Sequence, residues 1–272
     1  MTKFSIKNVI ELCSFDLRIH KNQIIGWTLA IAAVMAMYMF FFPSVQDMAT
    51  MKMEAMPKEL LQLFGMGNMQ DMSNYTSYFG MIYILVLLAI SIFAATFSAS
   101  LITSEEKSKS AEFLLAQSVS RTEIYVAKYL CSFVAILSIT MVAMLVTIAC
   151  GIYNGGPTFN QADIILGGKT SSFTPFLFGA IAFCLAGLSR KFAGGAIVSL
   201  VVMASYMLGY LGEILGEDAE VLLMFSPFAS IGVEKVIAAG DAFYIAINVY
   251  YAIYIVALVL GGWLYNRRDL EV

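Results

Sequence analysis

His20 is the only histidine in the chain, so a His-based zinc cluster cannot be assembled within one copy. A Ser–His or Cys–His nucleophilic pair would have to use that one residue. The four cysteines, Cys13, Cys131, Cys150 and Cys184, do not stand at metal-ligand spacing. Three of them fall in hydrophobic runs, where a thiol acts as a small apolar side chain. Gly168-Lys169-Thr170 has the closing letters of a phosphate-binding loop, but Asp163 occupies the position where that loop needs its first glycine. Asn74-Tyr75-Thr76 is a glycosylation sequon, which matters only in a secretory-pathway host. These residues do not point to an enzyme, a metal site or a cofactor held by this chain.

The stretch from Thr103 to Lys128 has a different character. Thr103 with Glu106, and Ser120 with Glu123, have capping-box spacing and would each start a helix. Between them a short helix over 105–117 carries Glu105, Glu106, Lys107 and Glu112 beside Phe113, Leu114 and Leu115. Ser118-Val119-Ser120 then turns the chain back. A charged helix with an apolar tip is a shape suited to docking a soluble partner.

Composition fixes what must position that segment. The chain is 60% hydrophobic and 13% charged, against about a quarter charged in soluble domains. Six runs reach or approach the ~20 apolar residues a bilayer core requires: 23–42, 78–103, 127–152, 173–189, 192–211 and 242–265. The expected fold is therefore all-α, a polytopic membrane protein of six transmembrane helices. None of the six runs has a charge in its interior, and Lys128 sits at the edge of the third. Lys3, Lys7, Arg18, Lys21, Lys107, Lys109, Arg121, Lys128, Arg190, Lys191, Arg267 and Arg268 fall on the side of the N-terminus; Lys52, Lys58, Lys169 and Lys235 fall on the other. That asymmetry places both termini in the cytoplasm. With Lys and Arg nearly balanced by Asp and Glu, no nucleic-acid footprint is present.

Residues 4–20 read as an amphipathic interfacial helix, with Ile6, Val9, Ile10, Cys13 and Leu17 at helical spacing. The first outer loop, 43–77, is methionine-rich and holds a short amphipathic stretch around Leu60, Leu61, Leu63 and Phe64. Segment 212–241 reads as an outer re-entrant hairpin of two short helices, 217–224 and 228–239, broken at Ser226-Pro227. Ala32 with Ala36 and Gly212 with Gly216 are small pairs that could mark where two copies meet.

Glu105-Glu106-Lys107, Ala111-Glu112-Phe113-Leu114-Leu115-Ala116, Val119-Ser120-Arg121-Thr122-Glu123-Ile124 and Lys128 together resemble the signature of ABC-2-type exporter permeases. The family pattern runs Glu-Glu, Gly-Thr, Glu, leucines, Pro-Val-Ser-Arg and a Gly-Lys pair. Here Lys109-Ser110, Ser118 and Ala127 replace its Gly-Thr, Pro and Gly. Ser226-Pro227-Phe228 and the charged end Asn266-Arg267-Arg268-Asp269-Leu270 also have counterparts in that family. Among its members the chain looks closest to peptide and antibiotic exporters, including the kind that secretes phenol-soluble modulins.

The resemblance implies a bacterial plasma-membrane subunit that pairs with a second permease, identical or paralogous, and carries two ABC ATP-binding subunits on its cytoplasmic face. ATP and Mg would be held by those partners, with no cofactor in this chain. Segment 104–126 would be the coupling segment, with Glu105, Glu106, Lys107, Glu112, Phe113, Leu114 and Arg121 as ATPase contacts. The absence of ionisable groups inside the runs fits an external energy source, because burying one costs at least ~2.5–3.5 kcal/mol and marks ion-coupled sites. The expected function is ATP-driven export of a hydrophobic or amphipathic substrate: a peptide, an antibiotic or a lipid. The alternative is a non-transporting immunity or sensor subunit that binds a peptide.

Overall fold

A computed structural model of the chain describes residues 4–52, 73–107, 119–188, 194–215, 220–238 and 240–267. Among the described residues every regular element is a helix. In chain order these are α1 (Ile6–Phe40), α2 (Phe42–Lys52), α3 (Tyr75–Lys107), α4 (Arg121–Asn154), α5 (Gln161–Ser171), α6 (Phe173–Leu188), α7 (Gly194–Leu215), α8 (Glu220–Met224), α9 (Pro227–Ser230), α10 (Val233–Ala238) and α11 (Asp241–Arg267), with one 3-10 turn at Gly156–Thr158. Six helical segments are long and apolar enough to cross a membrane, α5 and α6 together forming one of them. The all-α, six-span fold class expected from composition is what the chain adopts.

The bundle is organised around α3. Phe79 stacks on Tyr83 and Phe93 on Phe97, each pair one helical turn apart, with ring centroids 4.8 and 5.1 Å apart. All four rings are buried. α3 packs against α6, α7 and α4, while α1 lies along α4 and α11 lies along α6. Small residues set the α6–α11 approach: a Cβ on Gly261 would stand 3.0 Å from the Cys184 Cα, and Ala180 and Ala257 are buried in the same contact. Close backbone approach through small residues is how helices associate where no hydrophobic effect separates them from lipid. The apolar side chains that remain exposed on α7 and α11, such as Leu200, Met203, Val249 and Val259, form a surface that lipid rather than water suits.

The first 40 residues depart from expectation. No break separates 4–20 from 23–42; α1 is one helix of 35 residues. Its partner explains this, because α4 runs beside it throughout. The Ser5 amide is bonded to Glu123 near the start of α4, and the Asn154 side-chain amide reaches the Phe40 carbonyl at the other end. Along the early turns Val9, Leu12, Cys13 and Leu17 face the core, whereas Ile6 and Ile10 are exposed. Thr103 likewise does not start a helix: its hydroxyl donates to the Ala99 carbonyl and α3 continues to Lys107. The Leu60–Phe64 stretch, the methionines beyond Met51, the Arg190-Lys191 turn and Gly216 lie outside the described residues.

At the far end from the termini, α5 is a helix not foreseen in the sequence. Asn160 caps it by accepting from the Ala162 amide, and only Ser172 separates it from α6. The Gly167-Gly168 pair gives room: Cβ atoms there would lie 2.6 Å from Val233 Cγ1 and 2.2 Å from the Met144 sulfur. Gly168-Lys169-Thr170 is thus a close-packed helical turn. Among its described residues, segment 212–241 contains three short helices rather than two, with Ser226 capping α9 and Pro227 opening it. Gly212 serves this region, since a Cβ there would meet Leu223 Cδ2 at 2.7 Å. Its small size makes room for α8 within the same chain.

Each helix break leaves carbonyls without intrahelical donors. Neighbouring hydroxyls supply them: Ser171 donates to the Ile231 carbonyl at 2.7 Å, Tyr250 to Met224 at 2.7 Å, Ser205 to Phe225 at 3.2 Å and Ser230 to Leu223 at 2.5 Å. Such internal satisfaction is obligatory wherever water is scarce.

The close fit of α10 on α5 is testable. Gly167→Leu should lower the detergent-solubilised melting temperature by several degrees, consistent with an overpacking cost of about 1–3 kcal/mol. Adding Val233→Ala should recover part of the loss. An unchanged Gly167→Leu melting curve would show that α10 does not seat where described.

Candidate functional site

The start of α4, immediately after the segment whose sequence suggested a docking role, carries several long-range bonds. Ser120 is the N-cap of α4, and the capping box with Glu123 is formed. The Ser120 hydroxyl accepts from the Glu123 amide at 3.2 Å, and the Ser120 amide donates to Glu123 Oε2 at 2.6 Å. The other carboxylate oxygen, Oε1, accepts from the Ser5 amide at 2.6 Å. Ser5 is the N-cap residue of α1, and its own side chain caps nothing. One carboxylate therefore caps two helices and joins their N-termini. Its negative charge lies against the positive ends of both helix dipoles, and it is fully buried with its oxygens occupied.

The next residues face α11. Arg121 donates to the Asn266 carbonyl and the Thr122 hydroxyl to the Asn266 side-chain oxygen, both at 3.4 Å. Arg267 stacks over Trp263 with 4.2 Å from guanidinium carbon to ring centroid. One turn further along α4, the Tyr125 hydroxyl donates to the Leu258 carbonyl at 2.9 Å. The Tyr129 hydroxyl is bonded to that of Tyr254. The last turns of α11 are thus fastened to the first turns of α4.

Lys128 faces α3. Its side chain is 1% exposed, and its ammonium donates to the Leu101 carbonyl at 2.5 Å. Leu101 lies in α3, six residues before Lys107. Asp16 of α1 is within electrostatic reach of Lys128 and of His20. The His20 ring donates through Nδ1 to the Asp16 carbonyl at 2.9 Å and presents its edge to Phe97 of α3. Ser132, one turn beyond Lys128, shares a 2.7 Å hydrogen bond with Ser98.

Residues 120–128 therefore form a hub: Glu123 holds α1, Arg121 and Tyr125 hold α11, and Lys128 holds α3. Of the residues expected to contact an ATPase, Arg121 belongs to this hub. Glu105, Glu106 and Lys107 end α3. Glu112, Phe113 and Leu114 lie outside the described residues. Sequence reasoning found the Ser120–Glu123 cap but not Ser5, Asp16 or Asn266. Lys128 read as the flanking charge of a span, and nothing in its spacing marked the Leu101 carbonyl as its partner.

The family described as multidrug efflux system permease Rv1217c, C-terminal domain, matches residues 12–266, nearly the whole chain. No curated protein matches the chain.

The double cap gives a measurable consequence. Glu123→Ala removes the acceptor of the Ser5 and Ser120 amides while leaving the Ser120 hydroxyl cap of α4 in place, so trypsin should cut after Lys7 markedly sooner than in the parent, with Glu123→Gln intermediate. Ser120→Ala removes only the local cap and should cost about 0.5–2 kcal/mol without exposing Lys7. Equal cleavage rates at Lys7 in Glu123→Ala and the parent would refute the bridge to α1.

Proposed function

The chain belongs to the family of the multidrug efflux system permease Rv1217c, C-terminal domain, and from that premise we propose that this efflux permease is the membrane subunit of an ATP-driven exporter of the ABC-2 type. It pairs with a second permease and receives two ATP-binding subunits on the cytoplasmic face, where the positive-inside bias puts both termini. ATP and Mg are bound by those partners. The coupling segment is 104–126, with Glu105, Glu106, Lys107, Glu112, Phe113, Leu114 and Arg121 meeting the ATPase.

The observation that carries this reading is the hub. A force applied between the end of α3 and the start of α4 arrives at the point where α1, α3 and α11 are all fastened by hydrogen bonds. Small displacements of a packed interface are passed on as rigid movements of helices rather than absorbed. Arg121 then has two roles in sequence, holding Asn266 in the resting bundle and facing the ATPase across the same exposed end.

The substrate is hydrophobic or amphipathic: a drug, an antibiotic, a peptide or a lipid. Supporting this is a column of partly exposed rings shared by α4, α6 and α11. Phe173 lies 4.3 Å from Tyr251 and 5.3 Å from Tyr254, Tyr254 meets Tyr129, and Phe133 lies 4.9 Å from Phe176. Aromatic faces of this kind accept apolar and cationic-aromatic molecules.

The test is co-expression with a candidate ATP-binding subunit, purification through a tag on one of them, and assay of ATP hydrolysis. A stable complex is expected, with hydrolysis stimulated by amphipathic helical peptides or hydrophobic drugs. Phe113→Asp should abolish co-purification. Failure of the wild-type pair to associate, together with unchanged export from Glu112→Ala and Phe113→Asp cells, would overturn the reading in favour of a peptide-binding subunit that does not transport.

A further inference from the structure

The fourth span is interrupted partway. Gln161–Gly187 is one segment long and apolar enough to cross a membrane, yet its helix breaks at Ser172 into α5 and α6. Pro175 explains the break. Its ring nitrogen has no hydrogen for the Ser171 carbonyl four residues back, and the ring crowds that carbonyl. Thr174, one residue earlier, registers the bend. Thr103, Thr140 and Thr147, buried on continuous helices, each donate to the carbonyl four residues before them. The Thr174 hydroxyl is as deeply buried, and it has no hydrogen-bond partner. The Thr170 carbonyl that a straight helix would offer it lies on the other side of the bend. A buried hydroxyl left unmet is unfavourable, so the bent arrangement is opposed by a demand that a change of bend angle can meet.

The two pieces are held by different neighbours. α5 is joined to α10 and the residue that leads into it: Ser171 donates to the Ile231 carbonyl at 2.7 Å, and Val233 fills the space over Gly167. α6 is joined to the bundle, with Gly179 against Ala94 and Ser98 of α3 and Cys184 against Gly261 of α11. α5 meets the bundle through apolar contacts, Phe79 of α3 and Met144 of α4 over Gly168. Beside the bend there is also a polar contact. The Ser172 hydroxyl donates to the Gly168 carbonyl at 2.6 Å, so it accepts from the Tyr83 hydroxyl of α3, 2.6 Å away. Tyr83 is fully buried.

We propose that the fourth span is a latched hinge: Pro175 is the pivot, the Tyr83–Ser172 hydrogen bond is the latch, and α5 swings with α10 away from Phe79 and Met144 when the latch opens. The swing would part the end of the bundle remote from the termini. Its use in transport rests on the exporter reading, whereas the hinge itself does not.

Nitroxides carried by noncanonical residues at Leu166 of α5 and Val256 of α11, both exposed, read the distance across the bend by pulsed electron spin resonance. The four native thiols are then left untouched, and α11 is a fair reference because it packs along α6. For the full chain in lipid nanodiscs without nucleotide, the parent should give one narrow distance. Tyr83→Phe, which loses only the hydroxyl, should add a second distance, and Ser172→Ala should add the same one. Pro175→Ala returns a backbone donor to Ser171 and stiffens the span, so Tyr83→Phe combined with Pro175→Ala should lose the second distance. Latch variants that match the parent, or a combined variant that keeps the second distance, overturn the proposal. With the ATPase partner, ATP, Mg and vanadate, the parent should move to the second distance and Pro175→Ala should not. A nucleotide response that Pro175→Ala shares in full overturns the part of the hinge in transport. A parent that binds no ATPase, or shows no nucleotide response, counts against the exporter reading, while the nucleotide-free arm still decides the hinge.

Discussion

A carboxylate taken out of water has to be surrounded by donors, and Glu123 meets that requirement by capping two helices at once. Its oxygens bind the Ser5 and Ser120 amides, which ties the N-cap residue of α1 to the first turn of α4. Much else at that end follows. With its start fixed to α4, α1 continues as one helix beside it instead of ending at residue 20. With the start of α4 fixed, Arg121, Tyr125 and Lys128 reach α11 and α3 at successive turns of one helix. The end that carries the termini is thereby held by charged and polar bonds to a single short stretch.

The opposite end is built on other terms. There the chain between α7 and α11 breaks into α8, α9 and α10, and each break exposes carbonyls that water cannot be relied on to satisfy. Hydroxyls from α5, α7 and α11 do so individually, through Ser171, Ser205 and Tyr250. Glycines at 167, 168 and 212 let the short helices sit close enough for those bonds to form. Single neutral hydrogen bonds contribute about 0.5–1.5 kcal/mol each, less than bonds to a buried charge. In the proposed exporter this contrast suits a bundle driven from one end and rearranged at the other.

How much of this was legible beforehand follows from what each signal depends on. The six spans rest on length and apolar composition, which are properties of local sequence, and they appear as membrane-length helices. The Ser120–Glu123 cap is a four-residue pattern, and the chain forms it. Thr103–Glu106 has the same spacing yet forms no cap, because α3 offers its own carbonyl at Ala99 and the helix has no reason to stop. Partners far apart in the chain were invisible: Ser5 and Glu123 are 118 positions apart, and Lys128 finds a backbone carbonyl, which has no residue type to search for. Val9 and Ile10 stood in one expected stripe but fall on opposite sides of the packing boundary, since α4, not a flat interface, decides which face of α1 is covered. Helix α5 was missed because Gly167-Gly168 reads as a breaker until the helix and side chain that pack onto the pair are known.

The central claim is that an ATP-binding partner grips the segment between α3 and α4, next to the hub. Incorporation of a photoreactive benzophenone side chain at Phe113, followed by irradiation of the intact membrane assembly, tests it most directly. The account predicts a crosslink to the nucleotide-binding subunit that weakens when ATP and vanadate drive the ATPase through its cycle. Crosslinks confined to lipid or to the chain itself, in membranes where export is active, would contradict it.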